Sequence, residues 1–163
     1  MADVGEPPAG AEILRASSVA TVAVAVSSVV AMGLPRAGGM AHAVLGGALF
    51  MAGTVAMGWA FALGVGRSRA EAVDTAGLFL LVGPVAPPEV RRRFRVHLAI
   101  QTAAVVAAAA VRPFTVVAFG ILAPMFALGL MGLWGARHGA FPPRPEHPVA
   151  RRAGDDGREC SDG

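Results

Sequence analysis

The side chains best suited to chemistry in this sequence are a histidine and a glutamine within a mostly apolar segment. His97 and Gln101 are four residues apart, so on a helix they share one face. Polar groups inside a bilayer are costly and commonly mark transport paths or catalytic sites. The pair is therefore a candidate polar site, although an interhelical hydrogen bond is the reading that the sequence favours.

Four arginines, Arg91, Arg92, Arg93 and Arg95, form the densest charge cluster of the chain. Such a cluster beside a membrane segment helps to set orientation, and it attracts anionic lipid headgroups at about 1 kcal/mol per basic residue. We expect these side chains to contact anionic lipid. The isoelectric point near 10.9 does not indicate nucleic-acid binding, because the cluster is held at the membrane.

Other site chemistry is poorly supported by the residue spacing. The histidines at 42, 97, 138 and 147 lack the spacing of metal ligands, and Cys160 has no second cysteine with which to pair. All 14 basic residues are arginine, so no phosphate-binding loop with its lysine is present. We predict no cofactor, no bound metal and no enzymatic activity.

The elements that must position these residues follow from the apolar composition. Of the 163 residues, 55% are hydrophobic and 15% are charged, and the mean hydropathy is +0.58. Soluble domains carry about 25% charge, so an ordinary soluble enzyme is excluded. A bilayer crossing needs about 20 apolar residues. The sequence predicts an all-α bundle of four transmembrane helices with spans at 16–34, 40–66, 91–111 and 114–136.

Between the second and third spans, residues 75–86 contain an apolar stretch too short to cross a bilayer. We expect a short cytoplasmic helix there, either interfacial or re-entrant. The membrane domain is predicted at 13–138. The flanking segments 1–12 and 139–163, which are rich in proline, glycine and charge, are predicted to be disordered tails.

Orientation follows from the arginines. Four spans place both termini and 12 arginines on one side of the membrane, whereas the opposite side has only Arg36 and Arg112. The positive-inside rule therefore predicts a multi-pass protein of the inner (plasma) membrane with both termini in the cytoplasm.

Helix packing is predicted from small residues. Ala52, Ala56, Ala60 and Gly64 recur every four residues along the second span, a spacing that lets helix backbones approach closely in lipid. Contact within the chain is the favoured use of this series, and a homodimer or partner-subunit face is the alternative.

Three further residues carry local predictions. Pro124 lies within the fourth span and is expected to kink it. Trp59 and Trp134 lie towards the cytoplasmic ends of their spans, where aromatic side chains anchor helices at the interface.

The C-terminal half carries a resemblance. Its clearest features are the run Gly-Leu-Trp-Gly-Ala-Arg-His-Gly at 132–139 and Phe-Pro-Pro-Arg at 141–144. With the preceding residues from Asp74 onward, this region resembles a family of small, uncharacterised integral membrane proteins of actinobacteria. The resemblance implies a four-helix membrane architecture and that lineage, and it implies no activity and no catalytic residues.

Two functions remain open from the sequence. The favoured one is a non-enzymatic accessory or partner subunit of a cell-envelope membrane assembly, because buried polar groups are few and small-residue helix faces are common. The alternative is a small transporter or channel acting as a homo-oligomer, in which His97, Gln101 and the Pro124 kink line a path.

Overall fold

Four long apolar helices dominate the computed structural model, which describes residues 9–34 and 36–144. Each is long and apolar enough to span a membrane, so the predicted all-α architecture with four helices of spanning length is confirmed for the described residues. The elements, in chain order, are α1 (Ala11–Gly33), α2 (Ala37–Arg67), the short α3 (Thr75–Leu80), a 3-10 helix at Gly83–Val85, α4 (Pro88–Val111), a 3-10 helix at Val116–Leu122 and α5 (Pro124–His138).

The helix starts reflect local chemistry. Asp74 caps α3 by accepting a 2.7 Å hydrogen bond from the backbone N–H of Gly77, as expected of an N-cap carboxylate. Pro88 lies in the first turn of α4, where a missing N–H leaves no bond unmade. Helix α4 thus begins at Pro88, before the predicted span at 91–111, and α1 begins at Ala11, before the predicted span at 16–34.

Pro124 breaks the fourth span more extensively than the single kink that the sequence predicts. It lies in the first turn of α5, and the seven residues before Ala123 form the 3-10 helix Val116–Leu122. Proline cannot donate to the carbonyl four residues earlier and its ring clashes with it. The fourth span is therefore a composite of a tighter 3-10 half and an α-helical half.

The four spans form a four-sided bundle. Helix α1 packs along α2 and α4, and α5 packs along the same two neighbours. One end of the bundle, called the α3 end below, contains Ala11, Arg67, Pro88 and His138, with α3 beside them. The opposite end, with the two short turns, is called the turn end.

The small residues of α2 pack differently from the predicted four-residue series. Ala60 and Gly64 are buried, Ala56 is half-buried and Ala52 is exposed. The reason is geometric, because an α-helix turns about 100° per residue and a four-residue step therefore drifts by about 40°. Over three steps the series winds from the bundle surface to the core.

The face of α2 that does pack contains glycines. A Cβ atom on Gly53 would lie 2.6 Å from backbone atoms of Met125 and Phe126. Gly129 of α5 contacts Gly53 in return, and Gly46 lies against the backbone of Gly120. These glycines let α2 approach the fourth span at backbone contact distance, as small residues do between membrane helices.

Helix α3 lies between the second and third spans, where the sequence predicts a short helix, and it packs on α5. Leu78 is buried against Gly64 and Gly135, and Phe79 lies over Gly132. The largest apolar cluster of the described residues lies at this end and consists of Leu14, Leu81, Val85, Ala86, Phe94, Leu130, Met131 and Trp134.

Residues 139–144, which the sequence assigns to the disordered C-terminal tail, run against the segment before α3. The backbone N–H of Ala72 donates to Pro142 O at 2.8 Å, and that of Arg144 donates to Ala70 O at 3.1 Å. The packed part of the chain thus extends beyond the predicted boundary at 138. The rest of the two predicted tails, 1–8 and 145–163, lies outside the described residues.

Candidate functional site

The structure brings His97 and Gln101 together with hydroxyl groups of α1. The His97 ring lies 2.9 Å from Ser17 Oγ through Nδ1 and 3.4 Å from Ser18 Oγ through Nε2. Gln101 Nε2 donates to Thr21 Oγ1 at 2.9 Å. These five side chains, called the polar array below, join α1 to α4 near the α3 end.

The hydroxyl directions fix the roles of the His97 ring nitrogens. Ser18 donates its hydrogen to Leu14 O at 3.0 Å, so it can only accept from His97 Nε2. Nδ1 is then the acceptor for the Ser17 hydroxyl, because a neutral imidazole has one donor and one acceptor nitrogen. Both nitrogens of a neutral His97 are therefore used in binding α1.

Gln101 is less completely satisfied. Its side chain is fully buried, and the hydroxyl of Thr21 that accepts from it donates in turn to Ser17 O at 2.8 Å. Among the described residues, Gln101 Oε1 has no hydrogen-bond partner. A buried polar atom without a partner is unfavourable by about 1–3 kcal/mol, so this carbonyl oxygen is the acceptor of the array that most needs a partner.

His42 forms a second polar contact, at the turn end. Its side chain is 1% exposed, and its Nδ1 lies 2.9 Å from Ser27 Oγ. Ser27 donates to Val24 O, so His42 Nδ1 donates to Ser27. Its Nε2 lies against Gly120 of the 3-10 helix and has no hydrogen-bond partner among the described residues. The absence of a side chain at Gly120 is what makes room for the imidazole.

An apolar layer separates these two polar contacts. Val24, Val105 and Ala123 form a buried cluster, with Leu49 packed against it. Val105 is one helical turn beyond Gln101, and Ala123 directly precedes Pro124. The chain therefore places apolar side chains, rather than a continuation of the polar array, between Gln101 and the Pro124 break.

The arginine cluster lies on the first turns of α4 at the α3 end. Phe94 is fully buried and turns inward, and Arg92, Arg93 and Arg95 are exposed around it. Arg91 is half-buried and donates from Nη1 to Gly83 O at 2.9 Å. The arginines of the predicted cluster are thus spread around three sides of α4.

Arg67 has a role that sequence reasoning missed. Its guanidinium donates to Ala136 O at 3.0 Å and Gly139 O at 2.8 Å, so it caps the last turn of α5. It also pairs with Glu71 at 2.7 Å and lies over the Phe141 ring, 5.2 Å from its centroid. The only local signal was the pair Arg67 and Glu71 four residues apart, a spacing that permits an ion pair on a helix.

Trp134 differs from the predicted interfacial anchor. It is 2% exposed, donates from Nε1 to Ala9 O at 3.2 Å and stacks on His138 with ring centroids 5.6 Å apart. It is a core residue that holds the start of α1 against α5. Trp59, by contrast, is 58% exposed on α2, a position open to the interfacial role predicted for it.

Within the described residues, no group of three or more histidine, cysteine, aspartate or glutamate side chains could hold a metal ion. Comparison with other proteins adds no candidate site. No known protein family, curated protein or solved structure matches the chain. The resemblance to actinobacterial membrane proteins therefore stays a prediction, and the candidate sites are argued from this chain alone.

Proposed function

We propose that this protein is a non-enzymatic accessory subunit of a cell-envelope membrane assembly, and that a partner helix docks on the outward face of α2. The observation that carries the proposal is the low burial of α2. Only 17% of its most apolar stretch is buried within the bundle, against 44% for the fourth span. The longest helix of the bundle thus has the most unpartnered surface.

The outward face of α2 is suited to helix contact. Thr54, Gly58, Ala62 and Gly66 recur every four residues, and all four stay exposed although such a series drifts by about 120° over three steps. A Cβ atom on Gly58 or Gly66 would meet no atom within 4 Å. Small residues at this spacing let a second helix approach at backbone distance, whereas contact with lipid chains does not require them. The face therefore favours a protein partner.

The hydrogen bonds of the polar array favour a structural role, the joining of two helices, over a catalytic role. His97 uses both ring nitrogens on α1, and Gln101 uses its amide nitrogen there. General acid–base catalysis needs a group within reach of a substrate proton. The hydroxyl groups of α1 instead form hydrogen bonds with these nitrogen atoms, and the bonds join the two helices.

Site-specific crosslinking in native membranes tests the proposal. A photo-crosslinking residue at Ala62 is expected to give a discrete adduct with one other protein, identified by mass spectrometry. The matched control position is Val22 of α1, which is 63% exposed and is expected to give no protein adduct.

A second variant makes the test decisive. Gly58→Leu adds bulk where no atom lies within 4 Å, so it should abolish the Ala62 adduct while leaving the unfolding of the protein unchanged. Capture of lipid alone from Ala62 would refute the proposal. An adduct of twice the mass of the chain would refute the heterologous partner and favour the homo-oligomer.

A small transporter or channel is the second candidate, and one observation favours it. Gln101 Oε1 is a buried acceptor without a partner among the described residues, which a passing polar solute or water could satisfy. Solute flux into liposomes containing the purified protein should then collapse with Gln101→Leu. Flux that is absent, or unchanged by the substitution, would remove this candidate.

We also propose that the α3 end faces the cytoplasm and that α3 lies in the interface there. Arg36 and Arg112 are the two arginines at the turn end, and all other arginines of the described residues lie at the α3 end. Leu80 and Val82 are 45% and 46% exposed beside the buried Leu78, as expected of a segment with one side towards lipid. A fluorophore on Leu80→Cys, in a Cys160→Ser background, should be quenched by brominated lipid, and no quenching would exclude the interfacial placement.

A further inference from the structure

One flank of α4 joins an arginine cluster to an apolar groove. The groove has a volume of about 450 Å³, and its surface is almost entirely apolar. It begins at a guanidinium group and continues along the helix towards the turn end. Its lining consists of Arg95, Leu98, Ala99, Thr102, Ala103 and Val106.

The floor of the groove is formed by small side chains. Ala99 and Ala103 are one turn apart and both are exposed, and Leu98 and Val106 line the groove beside them. From Arg95 to Val106 the helix rises by about 16 Å at 1.5 Å per residue. One leaflet of hydrocarbon is about 15 Å deep, half of the bilayer core. The groove therefore matches the depth of one leaflet.

Arg95 is the clustered arginine that lines the charged end of the groove, and two others lie near it. Because an α-helix turns about 100° per residue, Arg91 and Arg92 flank Arg95 one turn nearer the helix start. Arg93 points about 160° away from Arg95 and lines a separate cleft with Glu89, Val96 and His97, and Arg92 borders that cleft as well. Arg95 and Arg93 thus lie on two flanks of the helix, with Arg92 between them.

The guanidinium groups above the groove are available to a ligand. Arg92 and Arg95 are exposed and, among the described residues, make no hydrogen bond or ion pair. Arg91 uses one nitrogen on Gly83 O. Guanidinium groups bind phosphate oxygens with paired hydrogen bonds. Positive charge at the head of an apolar groove complements a molecule with an anionic head and a hydrocarbon chain.

We propose that this flank of α4 is a binding site for one anionic phospholipid. Its phosphate binds Arg95 and Arg92, with Arg91 adjacent, and one acyl chain lies over Ala99 and Ala103. Arg93 takes no part in the site, which separates it from the rest of the cluster. The site is on α4 and is independent of the partner face on α2.

Native mass spectrometry of the purified full-length protein tests the site. The protein is equilibrated with equal amounts of phosphatidylglycerol and phosphatidylcholine that have identical acyl chains, and the retained lipid is identified. One phosphatidylglycerol is expected to be retained in preference. Arg92→Gln and Arg95→Gln should each lower that preference about fivefold, and Arg93→Gln should leave it unchanged.

The groove is tested separately from its charged end. Ala99→Leu with Ala103→Leu fills the floor with exposed bulk and should reduce retention of both lipids. Helix content and thermal unfolding check that each variant is folded, as expected because all five substituted positions are exposed. An equal effect of Arg93→Gln and Arg95→Gln would overturn the site, because charge alone would then hold the lipid. Retention unaffected by the alanine substitutions, or displacement by inorganic phosphate, would overturn it as well.

Discussion

Thr21 and Gln101 share one buried hydrogen bond but differ in how completely their polar atoms are paired. Thr21 donates to Ser17 O and accepts from Gln101, so both of its hydrogen-bonding functions are used. Gln101 has only its amide nitrogen paired among the described residues. Loss of one partner is expensive only when it leaves the other buried and unpaired. The two side chains should therefore respond differently to removal.

Thr21→Val is expected to destabilise the protein by about 1–3 kcal/mol, because it leaves the whole amide of Gln101 buried without a partner. Gln101→Leu is expected to stay within about 1 kcal/mol of wild type, since Thr21 keeps its bond to Ser17 O. The free energy of unfolding, measured by denaturant titration in mixed micelles, provides both values.

The double variant completes a double-mutant cycle. Thr21→Val with Gln101→Leu should recover most of the stability that Thr21→Val loses, because no buried amide remains. If both single variants destabilise the protein equally, Gln101 has a partner that the described residues do not supply, and the inferred asymmetry is wrong.

Glycine contacts between α2 and α5 lead to a second prediction at the residue scale. Gly53→Ala places a Cβ atom 2.6 Å from backbone atoms of Met125 and Phe126, which cannot move aside as a side chain would. We expect a loss of about 1–3 kcal/mol, typical of overpacking, measured as the shift in thermal unfolding in detergent.

Gly58 provides the matched control on the same helix. An added Cβ there meets no atom within 4 Å, and alanine favours helix over glycine by up to about 1 kcal/mol. Gly58→Ala should therefore leave stability unchanged or raise it. A stability loss from Gly58→Ala as large as that from Gly53→Ala would contradict the assignment of the inward face.

At the scale of elements, Arg67 joins three parts of the chain. From the last turn of α2 it reaches the end of α5 at Ala136 and Gly139, and it pairs with Glu71 in the segment before α3. Helix ends leave carbonyl groups without partners, and a guanidinium is well suited to bind several of them. The α3 end is therefore held by one side chain as well as by apolar packing.

Arg67→Ala should loosen the end of α5 by about 2 kcal/mol, the scale of hydrogen bonds to a charged group. Hydrogen–deuterium exchange measures this locally, and amides around 136–141 should exchange faster. Arg69→Ala removes an exposed arginine two residues away and is expected to leave exchange there unchanged. Equal exchange in the two variants would show that Arg67 does not cap α5.

At the scale of the whole molecule, orientation depends on charge. The arginines at the turn end are Arg36 and Arg112, and Arg112 donates from Nη2 to Met32 O at 3.2 Å. Every other arginine lies near the start of α1, at or after the end of α2, in the first turns of α4, or at or after the end of α5 in the sequence. This asymmetry is the basis for the proposed cytoplasmic α3 end.

Thiol labelling tests the orientation. Cys160 is the only cysteine of the chain, and an impermeant maleimide should label it only after the cells are opened. Thr115→Cys in a Cys160→Ser background moves the thiol to the turn end, where residue 115 is exposed. That variant should be labelled on intact cells, and the reverse pattern would invert the proposed orientation.

The sequence by itself determined the number of helices long and apolar enough to span a bilayer, because a bilayer requires long apolar segments and this chain has four. It also determined that His97 and Gln101 share a helix face, since helical periodicity is local. These features depend on residues close together in the chain.

Only the tertiary structure decided which side chains and backbone groups of different helices come into contact. The partners of Gln101 on α1, the carbonyls bound by Arg67 and the contact of Gly53 with α5 all join residues far apart in sequence. Burial likewise depends on how each helix is rotated, which is why Trp134 is in the core and Ala52 is at the surface. Rotation is set by close packing between helices, and a four-residue spacing cannot fix it, because the spacing drifts around the helix.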